Sequence, residues 1–275
     1  MRTYTAAIVQ MNSTPDLSEN LKQAEVLVKK AVDERARLVV LPECFAYLGP
    51  EKEMLAQAEE IAGEGERFLK ENARKYEIFL CGGVYTLPEN FTRMRNRRVY
   101  NTAMLCGPNG DILKKYEKMH LFDVDIPDGV SYRESDYVRG GDGPILFSDE
   151  ELGKIGMSVC YDVRFPELYR QLSTRGAEVF VIPSAFTAFT GKDHWEVLVR
   201  ARAIENLSYV IAPTQVGTHF GKRQSYGHGM IVDPWGAVIA AAGVSPGVSV
   251  AEINPDGIAT ARMRIPALTN RKLKN

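Results

Sequence analysis

Lys154-Ile155-Gly156-Met157-Ser158-Val159-Cys160, followed by Tyr161-Asp162-Val163-Arg164-Phe165-Pro166-Glu167-Leu168-Tyr169-Arg170-Gln171-Leu172, carries the fold in miniature. Lys154 to Val159 is a short apolar run that reads as a buried strand. Pro166 then falls in the first turn of a helix, where its missing N–H costs nothing. Phe165, Leu168, Tyr169 and Leu172 share one apolar face, so the spacing predicts a helix from Phe165 to Arg175. Glu178 to Ile182 is a second buried strand. Strand, helix and strand in this order form a unit with the helix packed on a sheet.

The same alternation extends in both directions. Upstream, Thr3 to Val9 reads as a strand, and Asp16 offers an N-cap with Glu19 three positions on. Leu17, Leu21, Ala24, Leu27, Val28 and Ala31 then follow at helical spacing. Arg37 to Leu41 is a short strand ended by Pro42; helices are expected over 51–61 and 66–76, and a strand over 78–82. Val99 to Cys106 and Asp111 to Tyr116 flank Gly107-Pro108-Asn109-Gly110, a hairpin signal. A long polar loop is expected from His120 to Pro144. Downstream, a helix is expected over 193–206 and strands over 209–212, 229–232, 237–241 and 248–253, with a turn at Asp233-Pro234-Trp235-Gly236. The reading is one α/β domain over residues 1–258, with a mixed sheet or two sheets covered by helices. Residues 259–275 read as a basic, extended tail.

The 275 residues are 45% hydrophobic, and a chain of this size hides about three quarters of its unfolded surface. The formal net charge of -1 gives no electrostatic footprint for nucleic acid and no polybasic membrane anchor. The basic run from Arg93 to Arg98 is short and reads as a solvated loop. No stretch approaches a membrane span, and the first residues enter a strand pattern without a signal-peptide core, so a cytoplasmic protein is expected. Cys44, Cys81, Cys106 and Cys160 form no C-x-x-C pair; neither a zinc framework nor a disulfide scaffold is expected.

Three polar residues stand just beyond strands, where ligands of α/β sheets gather. They are Glu43, Lys118 and Cys160. Singly they have plain readings: a surface acid, a solvated lysine and a buried structural cysteine. Together they are a base, a cation and a nucleophile. Cys160 precedes a predicted helix, whose dipole is expected to favour thiolate, with the N–H groups of Tyr161 and Asp162 free to hold an oxyanion. A rival general base is one of His120, His194, His219 and His228.

Leu41-Pro42-Glu43, Lys118-Met119-His120-Leu121-Phe122 and Cys160-Tyr161-Asp162-Val163-Arg164-Phe165-Pro166-Glu167 resemble the three signature segments of the carbon–nitrogen hydrolase (nitrilase) superfamily, in its order and spacing. The resemblance implies a four-layer α-β-β-α sandwich and assembly into a homodimer or higher homo-oligomer, with the tail at an interface. It also implies a catalytic Glu43, Lys118 and Cys160, and a second glutamate, Glu134, within Tyr132-Arg133-Glu134-Ser135. Amide hydrolysis through a cysteine thioester follows, with no metal or organic cofactor.

Segments 183–186, 191–196, 200–205, 215–219 and 225–228 are similar to the deaminated glutathione amidase branch, from which Pro213 and Thr218 depart. A carboxylated amide of that kind calls for cations and donors. Arg164, Thr187, His219, Arg223 and Tyr226 are the candidates, with Arg164 alternatively an ion-pair partner of Glu167. The rival functions are ω-amidase, nitrilase, N-carbamoyl hydrolase and a binding protein that has kept the fold without the chemistry.

Overall fold

A computed structural model describes residues 1–93, 96–126 and 130–273. Parts of the basic run, of the long loop and of the tail therefore lie outside the described residues. The first half contains β1 (Tyr4–Gln10), α1 (Leu17–Asp33), β2 (Leu38–Val40), α2 (Glu51–Ala56), α3 (Ala58–Tyr76), β3 (Phe79–Thr86), β4 (Val99–Cys106) and β5 (Ile112–Glu117). A short excursion follows, with β6 (Asp123–Ile126), β7 (Val130–Arg133), a 3-10 turn at Glu134–Asp136 and β8 (Val138–Arg139). The second half begins with β9 (Leu146–Asp149), β10 (Gly153–Met157), a 3-10 turn at Cys160–Arg164, α4 (Pro166–Thr174), β11 (Val179–Val181), α5 (Ala188–Asn206) and β12 (Tyr209–Ala212). It ends with β13 (Val216–Phe220), β14 (Arg223–Tyr226), β15 (Met230–Val232), β16 (Val238–Ala241), β17 (Gly247–Ile253), α6 (Pro255–Arg264) and α7 (Ala267–Asn270).

Two sheets result. One runs β17-β1-β2-β3-β4-β5 with β8 beside β4, and the other runs β16-β15-β12-β11-β10-β9. The last strand pairs antiparallel with the first, Tyr4 opposite Ile253, so the end of the chain closes the sheet begun at its start. Side chains alternate across the first sheet as a doubly covered strand requires. Ala6, Ile8, Leu38, Val40, Phe79 and Cys81 share a core with Ile155, Met157, Val179 and Val181 of the other sheet. Ala7, Val9, Val39 and Leu80 pack with Ala24, Leu27 and Val28 of α1 and Phe68 and Leu69 of α3. Leu168 and Leu172 of α4 and Trp195 and Val199 of α5 cover the second sheet. The layers are helix, sheet, sheet, helix, the α-β-β-α sandwich that the family resemblance implied.

Several local expectations change. Helices α2 and α3 part at Gln57 rather than near Gly63 and Gly65, which lie inside α3. Gly63 has open space beside it and Gly65 lets Val84 approach, so the helix tolerates both. The long polar loop is largely built: β6 and β7 pair antiparallel, and β8 returns to pair with β4. Helix α5 begins at Ala188, five residues before the expected start, and β13 pairs with β14 where no hairpin was read. The tail is not extended, since α6 runs to Arg264. Asn254 caps it by accepting from the Asp256 N–H, and Pro255 opens it. Arg262 ties it down through Ala177 O at 2.9 Å.

Candidate active site

Glu43 follows β2 while the chain still runs beside β3. Leu41 N–H donates to Cys81 O and Gly83 N–H to Pro42 O. Gly83 has to lack a side chain, because a Cβ there would stand 2.4 Å from the Glu43 Cα. The Gln215 amide holds the Glu43 carbonyl at 3.0 Å. Lys118 is the first residue after β5, its N–H donating to Asn101 O at 2.8 Å. Glu134 opens the 3-10 turn after β7, and its Oε2 accepts the Phe122 N–H at 2.6 Å.

These side chains meet in one buried ring. Lys118 Nζ lies 3.1 Å from Glu43 Oε1 and 3.0 and 2.8 Å from the two oxygens of Glu134. Asn101 Nδ2 donates to the same two Oε1 atoms, at 2.7 Å to Glu43 and 3.1 Å to Glu134. The other Glu43 oxygen accepts the Ala185 N–H at 2.7 Å and the carboxyl also meets the Cys160 thiol. Burial alone would raise the Glu43 carboxyl; the Lys118 ammonium, the Cys160 thiol and the Asn101 amide outweigh it, and the group is held below the usual carboxylate range. Burial opposes the Lys118 charge as well, but Glu134 and Glu43 push its ammonium well above the ordinary lysine value. Glu43 is thus a carboxylate and Lys118 an ammonium at neutral pH.

Cys160 opens the 3-10 turn that follows β10, with a φ of 45°. A left-handed residue other than glycine stores about 1–3 kcal/mol of strain and persists only where its surroundings fix it. Here Cys160 N–H donates to Pro183 O at 3.0 Å, and the buried Asp162 pins the turn from beneath. Asp162 accepts the Val159 N–H (2.9 Å), the Tyr116 hydroxyl (2.8 Å) and the His120 N–H (3.1 Å). The His120 ring Nδ1 stands 2.7 Å from the same carboxylate. Arg202, buried beneath α5, donates to Val163 O at 2.8 Å.

Two expectations about this turn are corrected. Helix α4 starts only at Pro166, beyond the 3-10 turn, so its N-terminus does not adjoin the thiol. Burial and then the Glu43 carboxylate push the thiol well above its ordinary value, against the pull of Lys118. Cys160 rests as a thiol and needs a base. The Asp162 N–H already donates to Val159 O, which leaves that of Tyr161 as the candidate oxyanion donor.

Glu43, Lys118, Glu134 and Cys160 line a cleft of about 520 Å³, open mouth included. Tyr85, Phe122, Tyr132, Tyr137, Tyr161 and Phe186 give it an aromatic wall, and Arg223 and Thr187 complete it. The Arg223 guanidinium lies 5.0 Å from the Tyr132 ring centre. Burial works against its charge, but the guanidinium stays protonated, as arginine does throughout the accessible pH range. Among the described residues, no carboxylate forms an ion pair with it. Arg164 stays outside the lining: its guanidinium lies over the Phe186 and Tyr161 rings at 5.1 and 5.9 Å, and His194, not Glu167, is its neighbour.

His219 and Tyr226 are not brought to the cleft. His219 is buried between Ser13 O (2.7 Å) and Ser225 Oγ (2.8 Å), and burial drops its pKa to about 4. Tyr226 stacks on His228. None of the four histidines lines the cleft, so the histidine-base alternative has no geometry behind it. Sequence reasoning missed Asn101, although the polar pair Asn101-Thr102 stands out at the head of an otherwise apolar strand.

Comparisons with known proteins agree with this fold. The sequence matches the Carbon-nitrogen hydrolase family over residues 5–263. It is 50% identical over 272 residues to a deaminated glutathione amidase from Synechocystis, covering 98% of this chain and 99% of that one. An omega-amidase from Xenopus tropicalis is 37% identical over 272 residues, covering 99% and 96%. The crystal structure of the Caenorhabditis elegans NitFhit protein superimposes with a TM-score of 0.92 at 38% identity, covering 99% of this chain and 66% of that longer one. A buried glutamate, lysine and cysteine at three strand ends of an α-β-β-α sandwich, matched along almost the whole sequence, place the chain in the carbon–nitrogen hydrolase family, as a hydrolase of carbon–nitrogen bonds other than peptide bonds.

Proposed function

We propose that this amidase hydrolyses a small carboxylated amide through a thioester on Cys160, and that deaminated glutathione is its substrate. One observation carries the reading: the Glu43 carboxylate touches both the Lys118 ammonium and the Cys160 thiol at the floor of a cleft. Glu43 takes the thiol proton as sulfur attacks the amide carbonyl. Lys118 Nζ and the Tyr161 N–H hold the oxyanion, a contribution of about 3 kcal/mol per donor. As the tetrahedral intermediate collapses, the C–N bond breaks and Glu43 returns the proton to the departing ammonia. Water, deprotonated by Glu43, then cleaves the thioester, and the acid leaves with the thiol restored. Glu134 orients Lys118 and the substrate amide. Every proton and electron pair is accounted for by these groups and water.

Arg223 supports the choice of a carboxylated substrate, since it is a cation in the cleft wall with no carboxylate of its own among the described residues. Arg164, over the rim rings, and Thr187 are further contacts for a long, twice-charged amide. The Synechocystis relative, named for deaminated glutathione, favours the same branch. The second reading is ω-amidase action on α-ketoglutaramate, favoured by the Xenopus relative. Both share the chemistry and differ in the length of amide accommodated. Residence in the cytoplasm and assembly into a homo-oligomer belong to this proposal too. Among the described residues no helix is long and apolar enough to cross a membrane. Exposed Val238 and Ile239 on edge strand β16, and Met263 and Ile265 near the end of the chain, suit contact with a second copy.

The test is ammonia release from deaminated glutathione and from α-ketoglutaramate at equal concentrations. A preference above about tenfold in kcat/KM for deaminated glutathione, ~1.4 kcal/mol of discrimination, is expected. A reversed preference moves the chain to the ω-amidase reading. Arg223→Met should cost about thirtyfold on the preferred substrate, as loss of a charged hydrogen bond of ~2 kcal/mol implies, and little on propionamide.

A further inference from the structure

The ring that holds Glu43 contains one member with no charge. Asn101 Nδ2 and Lys118 Nζ each donate to both Glu43 Oε1 and Glu134 Oε1, so two acceptors share the same two donors. Two buried carboxylates against a single ammonium leave one negative charge in excess. Such a pair ordinarily relieves itself by protonating one member. Asn101 supplies the second bridge without adding charge. Its own Oδ1, fully buried, has no partner among the described residues, so both contacts of this amide's side chain run to the two carboxylates. An apolar residue would avoid that unpaired acceptor, and its presence marks the donor side as the useful one. The backbone of Asn101 serves the same ring by accepting the Lys118 N–H.

We infer that Asn101 is a positioning residue that keeps Glu43 ionised beside Glu134, so that Glu43 can act as a base toward Cys160. The inference rests on the proposed role of Glu43. The groups that bear on that carboxylate are Lys118 after β5, Glu134 after β7, Cys160 after β10, the adjacent Cys44, Tyr85 on β3 and Arg223 on β14. Apart from the Cys160 thiol that it is to deprotonate, Asn101 is the uncharged side chain that donates to it directly among the described residues. With Asn101 absent, the pair keeps its excess negative charge and loses one of its two shared donors, and Glu43 gains a proton at higher pH than in the intact ring.

Two pH profiles test this in the full-length enzyme: kcat/KM for the amide, and the rate at which iodoacetamide alkylates Cys160. In Asn101→Ala the acid limb of both should move up by about one pH unit. The deficit relative to wild type should then grow toward acid, to about tenfold more than at pH 8. Asn101→Ser, which keeps one hydroxyl donor, should fall between the two and serves if the alanine variant does not fold. A uniform loss at every pH, with the limbs unmoved, overturns the inference and leaves Asn101 a packing residue. If Glu43→Gln fails to abolish the acid limb of alkylation in an otherwise wild-type chain, the role of Glu43 falls, and this inference with it. The two failures are thereby distinguished.

Discussion

The turn after β2 and the turn after β10 do equivalent jobs by opposite means. Each carries one reactive side chain off the end of a buried strand, and each contains a left-handed cysteine, Cys44 at φ 56° and Cys160 at φ 45°. After β2 the reactive residue, Glu43, precedes the strained position and sits among donors, so its charge is stabilised. After β10 the reactive residue is the strained position itself, and the carboxylate of Asp162 lies beneath it, holding backbone rather than tuning sulfur. The difference shows how the molecule divides labour: one turn stores a charge, the other stores a geometry. On the proposed mechanism, a buried thiol left neutral gains its nucleophilicity only when the first turn takes its proton.

The largest expected effect breaks the charge-storing turn. Glu43→Gln preserves shape and removes the base, so kcat/KM should fall by about 10³–10⁴-fold with the fold intact by circular dichroism. Lys118→Met should do comparable damage and also cost about 3–5 kcal/mol of stability in urea melts, because two buried carboxylates lose their cation. Retention of wild-type stability in Lys118→Met would contradict the ring's charge balance.

A smaller effect tests the geometry-storing turn. Asp162→Asn places an NH₂ where an oxygen now accepts from Val159, Tyr116 or His120. One donor then faces another, a cost of about 1–3 kcal/mol. Activity should fall about a hundredfold through misplacement of Cys160, with the pH profile of kcat/KM unchanged in shape. A shifted profile would mean that Asp162 tunes charge after all, and the contrast between the turns would dissolve.

The smallest effect lies away from both turns and concerns pH. His219 is held neutral, its pKa lowered to about 4 by burial first and Arg223 in part. The unfolded chain binds a proton at this residue near pH 6.5 and the folded chain only near 4. Stability should therefore be lost as pH falls across that window, by up to about 3 kcal/mol. His219→Gln should flatten the curve from pH 6.5 to 4 in denaturant titrations while leaving the cleft's own pH response alone.

Much of the frame was legible in the sequence because it is written in apolar periodicity. Helix α1 with its Asp16 cap, the β4–β5 hairpin and the β10–α4–β11 unit follow from spacing and turn chemistry. Glu43, Lys118 and Cys160 were legible as polar residues just past strands. Three things were not. The β6–β7 pair is four residues to a strand and alternates polar with less polar side chains, which a polar loop also does. Helix α6 carried its signal, an Asn–Pro start, but its basic composition masked it. The role of Asn101, and the Tyr116 and His120 contacts of Asp162, arise only when segments distant in sequence are brought together. The neighbours of Asn101 in the chain do not hint at the two carboxylates that it bridges. The thiol's protonation is illegible for the same reason, since its burial and the Glu43 carboxylate, 117 residues away in the sequence, meet only in the folded chain.

If Cys160 carries the acyl group, intact-mass spectrometry of the enzyme quenched in acid during turnover should detect it. The expected signal is a mass gain equal to the substrate less ammonia, labile to hydroxylamine, mapping to the peptide that contains Cys160 and absent from Cys160→Ala, which should release no ammonia. Undiminished ammonia release by Cys160→Ala, or an acyl group mapped to another residue, would contradict it.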